Sequence, residues 1–589
     1  MSENNPLEKT FRHLADIRKE VAALPPEKAL DRILSSSAPM PLVHSFPGQD
    51  LHLLIHDIGL PDALPLLKLA SSRQWEYFVD VEVWDRDRID LARVTRWTEL
   101  LLAADPGRMT RWVSYDKVIF YEYYLYKNIR VVVREHDQDP SEIGDDYFTF
   151  DSVFYIRILD IPAAPVTAEN ASGQTVEVDD ETRRRVITDL LKRLADEDPV
   201  RFHQILLEAM HVISAEIEEE RFRQRNIRMA EKGFLPFDEA VGIYQPLALE
   251  DIKNNAAHAE YRPAVDAMQP VAQFPAFLGD AQNPVIQALE ACDTDVHYRQ
   301  AEVELAGLAN RIIVADHKPV RDRADVKAAV HKACGYIHIG LTALTADAGG
   351  PSSDAPDMIQ SASLMARYSL PSLFRLGFGY ALKIKWRADH WHRDSWYKQQ
   401  SLPLTFWDET WMGVLGGLLI KKPLYFDTDR GDRHYREFAD MTEITATQSA
   451  LDRIIAMDRF LSRLTIEPRF PSNAFLTWKN LLLTLWARHA LGLSPEIAAI
   501  DLASFRSFFA DHLFSPHPSG QSDEPADIRL AAKQSFLTWL VGCSDLAEKT
   551  ILTRIGPSLD DLFIEIESEL GRVRPADIDP RFVALFLLK

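Results

Sequence analysis

On one predicted helix, acidic and basic residues continue the line of the apolar stripe, a pattern that can place charged groups in a protein interior. The segment Asp198–Gly233 opens on Asp-Pro and closes on glycine, which predicts a single long helix across it. The apolar stripe runs on through Glu220, with Glu216 and Arg223 on either side of that line. We expect these three side chains to be buried and mutually paired, and they are the candidate catalytic residues.

The same charges have a second interpretation, as a structural ion-pair network. Glu219 and Arg223 are four residues apart, a spacing typical of solvated pairs on a helix surface. The sequence leaves both interpretations open. If the cluster is buried, Arg223→Ala should destabilise the fold strongly because it would leave buried acids without a partner.

Two histidine motifs have spacings that are found at metal sites. Glu208 and His211 form the E-x-x-H of di-iron helical bundles, but the chain has no second copy of it. His390 and His392 would share a face on a strand, whereas the pattern around them is helical. Each pair lacks further ligands at a recognisable spacing, so the sequence predicts no stoichiometric metal and no cofactor.

Common catalytic motifs do not occur in the chain. It has no P-loop, no G-x-G-x-x-G, no nucleophile elbow and no H-E-x-x-H. Their absence from the sequence disfavours nucleotide-dependent enzymes and the common hydrolase families.

The charge balance bears on the kind of partner. The 589 residues include 66 Lys and Arg against 88 Asp and Glu, so the formal net charge is −22. Such a field repels polyanions and disfavours nucleic acid, although Lys383–Lys398 is locally basic and rich in tryptophan. The three cysteines lie far apart in the sequence, so we expect them to be reduced thiols in a cytoplasmic protein. No signal-like start and no apolar run of about 18 residues is present, so no membrane partner is expected.

Helix signals predict a mostly α, multi-helical fold. Proline outnumbers glycine, 34 to 24, and short periodic units begin at recognisable caps. In the stretch from 49 to 135 these caps are Ser71 with Gln74, Asp90, and Asp105 ahead of a proline. Helices this short must stack to be stable, so the sequence predicts an N-terminal α-solenoid-like region.

One β-hairpin and several flexible connections complete the predicted organisation. The hairpin covers Tyr147–Leu159, where aromatic and β-branched residues alternate around Asp151 and Ser152. Polar and proline-containing stretches divide the chain into four predicted regions. These are an N-terminal helix and linker at 1–45, a superhelix with the hairpin at 46–162, a central helical domain at 179–426, and a C-terminal helical domain at 434–589.

Two resemblances to known families add to this interpretation. The run PDALPLLKLASSRQWEYF, within residues 49–135, resembles the N-terminal helical superhelix of bacterial magnesium transporters. The sequence predicts no transmembrane half after it, so the resemblance does not extend to transport. The segments Glu219–Leu247 and Glu304–Asp316, with the closing DIDPRFVALFLLK, resemble an uncharacterised bacterial family known only as a domain of unknown function. That resemblance implies a bacterial cytosolic setting and no particular activity.

The architecture leads to the functional prediction, a cytosolic helical scaffold or regulatory protein that binds another protein. Tyr121, Tyr123, Tyr124 and Tyr126 support this prediction, because one buried helix face cannot hide all of them. We expect these tyrosines either to form an exposed aromatic patch or to dock on later helices.

The alternative prediction is an enzyme or small-ligand binder. It would use Glu216, Glu220 and Arg223, joined by Asn310 and Arg311 from the second of the segments that resemble the family. A pocket that brings these residues together would favour this alternative over the scaffold.

Overall fold

The structure is a computed structural model, and helices make up 73% of it. It describes residues 6–85, 87–160, 179–230, 234–235, 237–254, 282–292, 295–316, 323–347, 357–428, 434–464, 476–514 and 527–589. The sheets within these ranges are small two-stranded antiparallel ones. The predicted mostly α, multi-helical fold is confirmed. Across the same ranges, every helix is too short or too polar to cross a membrane.

The described α-helices are numbered in chain order. They are α1 (Pro6–Ala23), α2 (Pro26–Leu34), α3 (Pro39–Ser45), α4 (Gly48–Ile58), α5 (Leu64–Leu69), α6 (Ser72–Glu82), α7 (Leu91–Ala104), α8 (Pro106–Arg111), α9 (Val118–Asn128), α10 (Asp180–Glu197), α11 (Pro199–Ala209), α12 (Ser214–Ala230), α13 (Phe237–Ala240), α14 (Leu249–Asn254), α15 (Pro284–Glu290), α16 (Asp295–Ala315), α17 (Arg323–Asp347), α18 (Met358–Arg367), α19 (Leu370–Asp394), α20 (Trp396–Gln399), α21 (Asp408–Leu419), α22 (Met441–Leu461), α23 (Trp478–Ala490), α24 (Leu502–Phe508), α25 (Leu530–Ser544) and α26 (Glu548–Leu570). The strands are β1 (Trp84–Asp85), β2 (Arg88–Ile89), β3 (Ile129–Val133), β4 (Phe154–Ile158), β5 (Tyr425–Phe426) and β6 (Tyr435–Arg436).

The chain forms two compact units. One consists of Met1–Thr345 with Ala355–Arg375, and the other of Ala346–Asp354 with Leu376–Lys589. The four predicted regions are a different and finer division, and their boundaries stay predictions.

The N-terminal helices stack in a regular order. Helix α2 packs on α4, α3 on α5, α4 on α6, and α5 on α7. Each of these helices therefore contacts the second helix after it, which is the arrangement expected of an α-solenoid-like stack. The sequence signals for the helix starts are also present, because Ser71 and Gln74 form a capping box and Asp90 and Asp105 cap α7 and α8.

The positions of the α9 tyrosines test the two arrangements expected from the sequence, an exposed aromatic patch and docking on later helices. Tyr121, Tyr123 and Tyr124 are buried and Tyr126 is 39% exposed, while α9 packs on α11 and α12. The Tyr124 hydroxyl lies 2.6 Å from Oγ1 of Thr95, so the buried phenol keeps a hydrogen bond. Tyr121 likewise bonds Thr98 of the earlier helix α7, whereas Tyr123 lies beside Glu218 of the later helix α12. These three tyrosines are therefore buried between earlier and later helices and form no exposed aromatic patch.

The predicted single helix at Asp198–Gly233 is wrong. Asp198 does cap a helix by accepting a hydrogen bond from the Arg201 N–H, but that helix, α11, ends at Ala209. Helix α12 begins only at Ser214, and residues 231–233 lie outside the described residues. The intervening segment contains β-branched Val212 and Ile213, which lose side-chain freedom in a helix, and serine favours a new helix start.

The predicted hairpin at Tyr147–Leu159 is wrong in its pairing. Strand β4 pairs along its length with β3, far earlier in the chain, with Ile129 opposite Ile158. The other arm of the predicted hairpin contributes a single bridge, Phe148 to Ile156. Asp151 accepts the N–H groups that follow it, and this tight turn leaves room for only that bridge. Two further sheets, β1 with β2 and β5 with β6, were not predicted.

The second unit has its own aromatic core around a buried carboxylate. Asp458 of α22 accepts hydrogen bonds from the Trp391 indole and from the N–H groups of Trp396 and Tyr397. Burial raises the pKa of Asp458, although these hydrogen bonds oppose the rise. Nearby, the rings of Trp411 and Trp478 stack with centroids 4.9 Å apart.

Gly340 allows a close approach inside the first unit. A Cβ atom at Gly340 of α17 would lie 2.4 Å from the carbonyl oxygen of Leu373 in α19, whereas one at Gly307 of α16 would meet open space. We expect Gly340→Ala to destabilise the protein by about 2 kcal/mol, because backbone must move to admit the methyl group. Gly307→Ala should stabilise it by up to about 1 kcal/mol, the helix preference for alanine. Urea denaturation of both variants checks this, and equal midpoints would contradict the close approach.

Candidate metal centre

Two histidines lie one turn apart on α4. The helix follows Pro47 and ends before Gly59, whose φ of 99° suits glycine alone. Residues four apart share a helix face, so the imidazoles of His52 and His56 are neighbours, with centroids separated by 4.5 Å. The side chain of His52 is 2% exposed and that of His56 is 13% exposed.

A carboxylate from a second helix completes the group. Glu82 is the last residue of α6, which packs against α4. Its Oε1 atom lies 2.6 Å from Nε2 of His52 and 2.8 Å from Nε2 of His56. We call these three residues the His–Glu cluster. Their ligand atoms all lie within 4.8 Å of one another, and within the described ranges this is the one such group found.

Burial and hydrogen bonding shift the pKa values of Glu82 and His52. Burial alone would raise the pKa of Glu82, but the hydrogen bonds from His52 and His56 hold the pKa of this carboxyl well below its usual range. Burial lowers the pKa of His52, against the opposing pull of Glu82. The cluster therefore places a carboxylate against two imidazole Nε2–H groups, and an ion that binds there must displace those two protons.

The donor set matches a particular class of ion. Two imidazole nitrogens and one carboxylate oxygen are the protein ligands of several catalytic zinc sites, which keep a fourth position open. Ligand atoms on tetrahedral zinc lie about 3.3 Å apart. The present contacts of 2.6 and 2.8 Å would have to widen only slightly to admit the ion. The Glu82 side chain is 21% exposed, so solvent reaches one side of the cluster.

Charged residues of both signs surround the cluster. Tyr77 meets the His52 ring edge-on with centroids 6.1 Å apart. Burial raises the pKa of Tyr77, and nearby Asp50, Glu82 and Asp80 raise it further. Arg225 opposes this rise, and Arg228 pairs with Asp80, so the net negative charge near the cluster is small.

The polar face of α4 continues beyond the histidines. Gln49, one turn before His52, donates from Nε2 to Oδ1 of Asn310 in α16 at 3.0 Å. Asp57, next to His56, pairs with Arg323, the first residue of α17. The helix that holds the cluster is therefore also bonded to α16 and α17.

The sequence analysis did not identify this cluster. Its one local signal is the H-x-x-x-H spacing in HLLIH, which places two imidazoles on one helix face. Glu82 lies on another helix, and no spacing rule connects it to the histidines.

The expected burial of the Glu216, Glu220 and Arg223 group is wrong. Glu216 and Arg223 are exposed, and Glu220 is partly exposed and bonds Arg223 at 2.9 Å. The physical reason is that the helix breaks before Ser214. Helix α12 is therefore a separate helix, and the apolar stripe of α11 does not continue into it. What these residues do stays a prediction.

The other predicted site residues do not come together either. Glu208 and His211 are both exposed. His390 is exposed on α19, while Nδ1 of His392 lies 2.9 Å from the Tyr397 hydroxyl. The structure therefore pairs neither motif with further ligands in the contacts described.

Two of the four arginines of α12 give a direct test of these placements. Arg228 donates to both oxygens of the buried Asp80, at 2.7 and 2.8 Å. We expect Arg228→Ala to destabilise the protein by about 2 kcal/mol, because Asp80 loses its bidentate partner. Arg223→Ala should leave the urea midpoint unchanged, since solvent screens the exposed pair. The opposite ranking would show that Arg223 is the buried partner after all.

Fold and cluster together define a mainly helical protein with a candidate centre of two histidines and a glutamate. Residues 6–589 match the family of unknown function DUF6178, and the chain belongs to that family. The predicted resemblance to a family of this kind is thereby confirmed. No curated protein and no solved structure matches the chain. The resemblance of residues 49–135 to magnesium transporters stays a prediction.

Proposed function

We propose that this protein binds a divalent transition-metal ion, zinc in the first place, through His52, His56 and Glu82. One observation carries the proposal: two imidazole nitrogens converge on one carboxylate oxygen at 2.6 and 2.8 Å, from two helices. The burial of His52 and the solvent access at Glu82, whose side chain is 21% exposed, support it.

A hydrogen-bonded structural network is the competing explanation of the same contacts. Such a network would join α4 to α6 without any ion, and a buried carboxylate that accepts two imidazole N–H groups is already well satisfied. The two explanations differ in a measurable way, because only a metal site has saturable affinity at one ion per chain.

The test uses the untagged full chain, treated with a chelator and then freed of it. Isothermal titration with Zn²⁺ should give one site per chain, and Co²⁺ should give the absorption of a four-coordinate site without bands from cysteine thiolate. Elemental analysis of the untreated protein shows whether the ion is present as purified. Absence of saturable binding would overturn the proposal and agree with the sequence-based prediction of no metal.

The stacked helices favour a second proposal, a scaffold or regulatory protein that binds another protein. The order in which α2 to α7 pack supports it, since such stacks often present extended surfaces. A cytoplasmic location, a bacterial origin and a protein partner belong to this proposal. Because Tyr121, Tyr123 and Tyr124 of α9 are buried, they do not supply the surface through which such a scaffold would bind its partner.

The scaffold proposal needs a test that does not depend on the metal. Purification from native cells under gentle conditions, followed by mass spectrometry, should recover one protein in a fixed ratio to this chain. Recovery of a small molecule instead would favour the enzyme or small-ligand alternative. Recovery of the chain alone from a sample that retains native mass would count against a stable scaffold.

A further inference from the structure

Helix α4 is a shared element of the first unit. One face carries His52 and His56 towards Glu82 of α6, and the same face carries Gln49 towards Asn310 of α16. Gln49 and Asn310 are 6% and 2% exposed, so their hydrogen bond lies in the interior. A buried amide pair of this kind is costly to leave unmatched and is sensitive to the position of either helix.

Ion binding would have to change the spacing of α4 and α6 slightly. The ligand atoms are closer than the approximately 3.3 Å of a tetrahedral zinc site, so the imidazoles must draw back from Glu82. Gln49 is three residues before His52 and moves with the same helix turn. The Asp57 to Arg323 pair, one residue beyond His56, adds a second connection to α17.

We infer that occupancy of the His–Glu cluster by a metal ion controls how firmly α16 and α17 are held on α4. The inference rests on the proposed metal binding and adds a regulatory effect of the ion. The bound ion would stabilise the contacts of α4 with α16 and α17, two helices that supply no ligand, and we call this effect the clamp. Lys332 of α17 pairs with Asp316 after α16 at 3.1 Å, so these two helices respond together.

Thermodynamic linkage gives the inference a second consequence. If the ion strengthens the contact of α4 with α16, then that contact must strengthen binding of the ion by the same factor. We expect the double variant Gln49→Leu with Asn310→Leu to bind Zn²⁺ about fivefold more weakly while still binding one per chain. Replacing both partners leaves no unmatched amide, so the variant should fold.

Hydrogen exchange of the full chain, with and without one equivalent of Zn²⁺, tests the inference. Amides of α16 and α17 should exchange about fivefold more slowly with the ion, the same factor as the expected loss of zinc affinity. Peptides from α25 in the second unit serve as the internal reference. In the double variant the protection of α16 should be lost, whereas α17 keeps its own connection to α4 through Asp57 and Arg323.

The outcomes separate the two proposals. Zinc bound at one per chain with no change in α16 and α17 would overturn the clamp and leave the metal site intact. No zinc binding at all would overturn the metal site, and the clamp with it. Protection of α16 that persists in the double variant would also overturn the clamp as described, because it would not pass through the amide pair.

Discussion

Glu82→Gln should lower the affinity for Zn²⁺ by at least about 100-fold, the upper end of what loss of an outer-shell partner costs, with the helical content unchanged. Glutamine has the size of glutamate but no charge, so the anionic ligand is removed while the packing of α6 on α4 persists. The side-chain amide can still accept one hydrogen bond from an imidazole. Isothermal titration measures the affinity, and circular dichroism confirms the fold.

His44→Ala is the matched control for that experiment. His44 is exposed on α3, within ten residues of His52, and makes no contact with the cluster in the hydrogen bonds described. Its removal should leave the titration unchanged. Equal affinity in Glu82→Gln and the unaltered protein would show that the carboxylate is not a ligand and that the ion, if bound, lies elsewhere.

Tyr124→Asp should prevent the first unit from folding, at a cost of at least about 4 kcal/mol. Tyr124 is fully buried in α9, and its hydroxyl bonds Thr95. An aspartate here would place a charge in the core and lose the contacts of the ring. The yield of soluble protein and the thermal unfolding midpoint measure the effect.

Tyr126→Asp, two residues further on, provides the comparison. Tyr126 is 39% exposed, so its replacement should change the stability by less than about 1 kcal/mol. A fragment of residues 49–160 should also fail to fold alone, because it lacks α11 and α12, on which α9 packs. A stable Tyr124→Asp protein that had lost a binding partner would instead place this tyrosine on an interaction surface.

Local signals account for what the sequence predicts well. The capping box of Ser71 and Gln74, and the caps Asp90 and Asp105, are correct because a cap depends on three or four consecutive residues. The need for short helices to stack follows from their length, which is also a local property. Family membership follows from segments of sequence and needs no knowledge of packing.

Errors arise where the outcome depends on distant partners. The sequence predicts that Glu216 and Arg223 lie on a buried stripe, but the break between α11 and α12 leaves both exposed. The types of these two residues do not indicate that the helix breaks before them. Strand β4 pairs over five residues with β3, which lies outside the segment that the hairpin pattern covers. In the His–Glu cluster the histidine spacing is local, but Glu82 joins them only through the packing of α4 on α6.

Burial of the α9 tyrosines has a consequence for how the chain is made. A ribosome releases α9 roughly 100 residues before α12 is complete, which at bacterial or eukaryotic rates is about 5–20 s. Helices α2 to α7 can pack during that time, since their contacts are close in sequence. Tyr121 and Tyr124 can already bond Thr98 and Thr95 of α7, but Tyr123, which lies beside Glu218 of α12, has no cover on that side until α12 emerges. The nascent chain therefore passes through an interval of exposed apolar surface, in which a ribosome-associated chaperone would protect it better than one that acts on the finished protein.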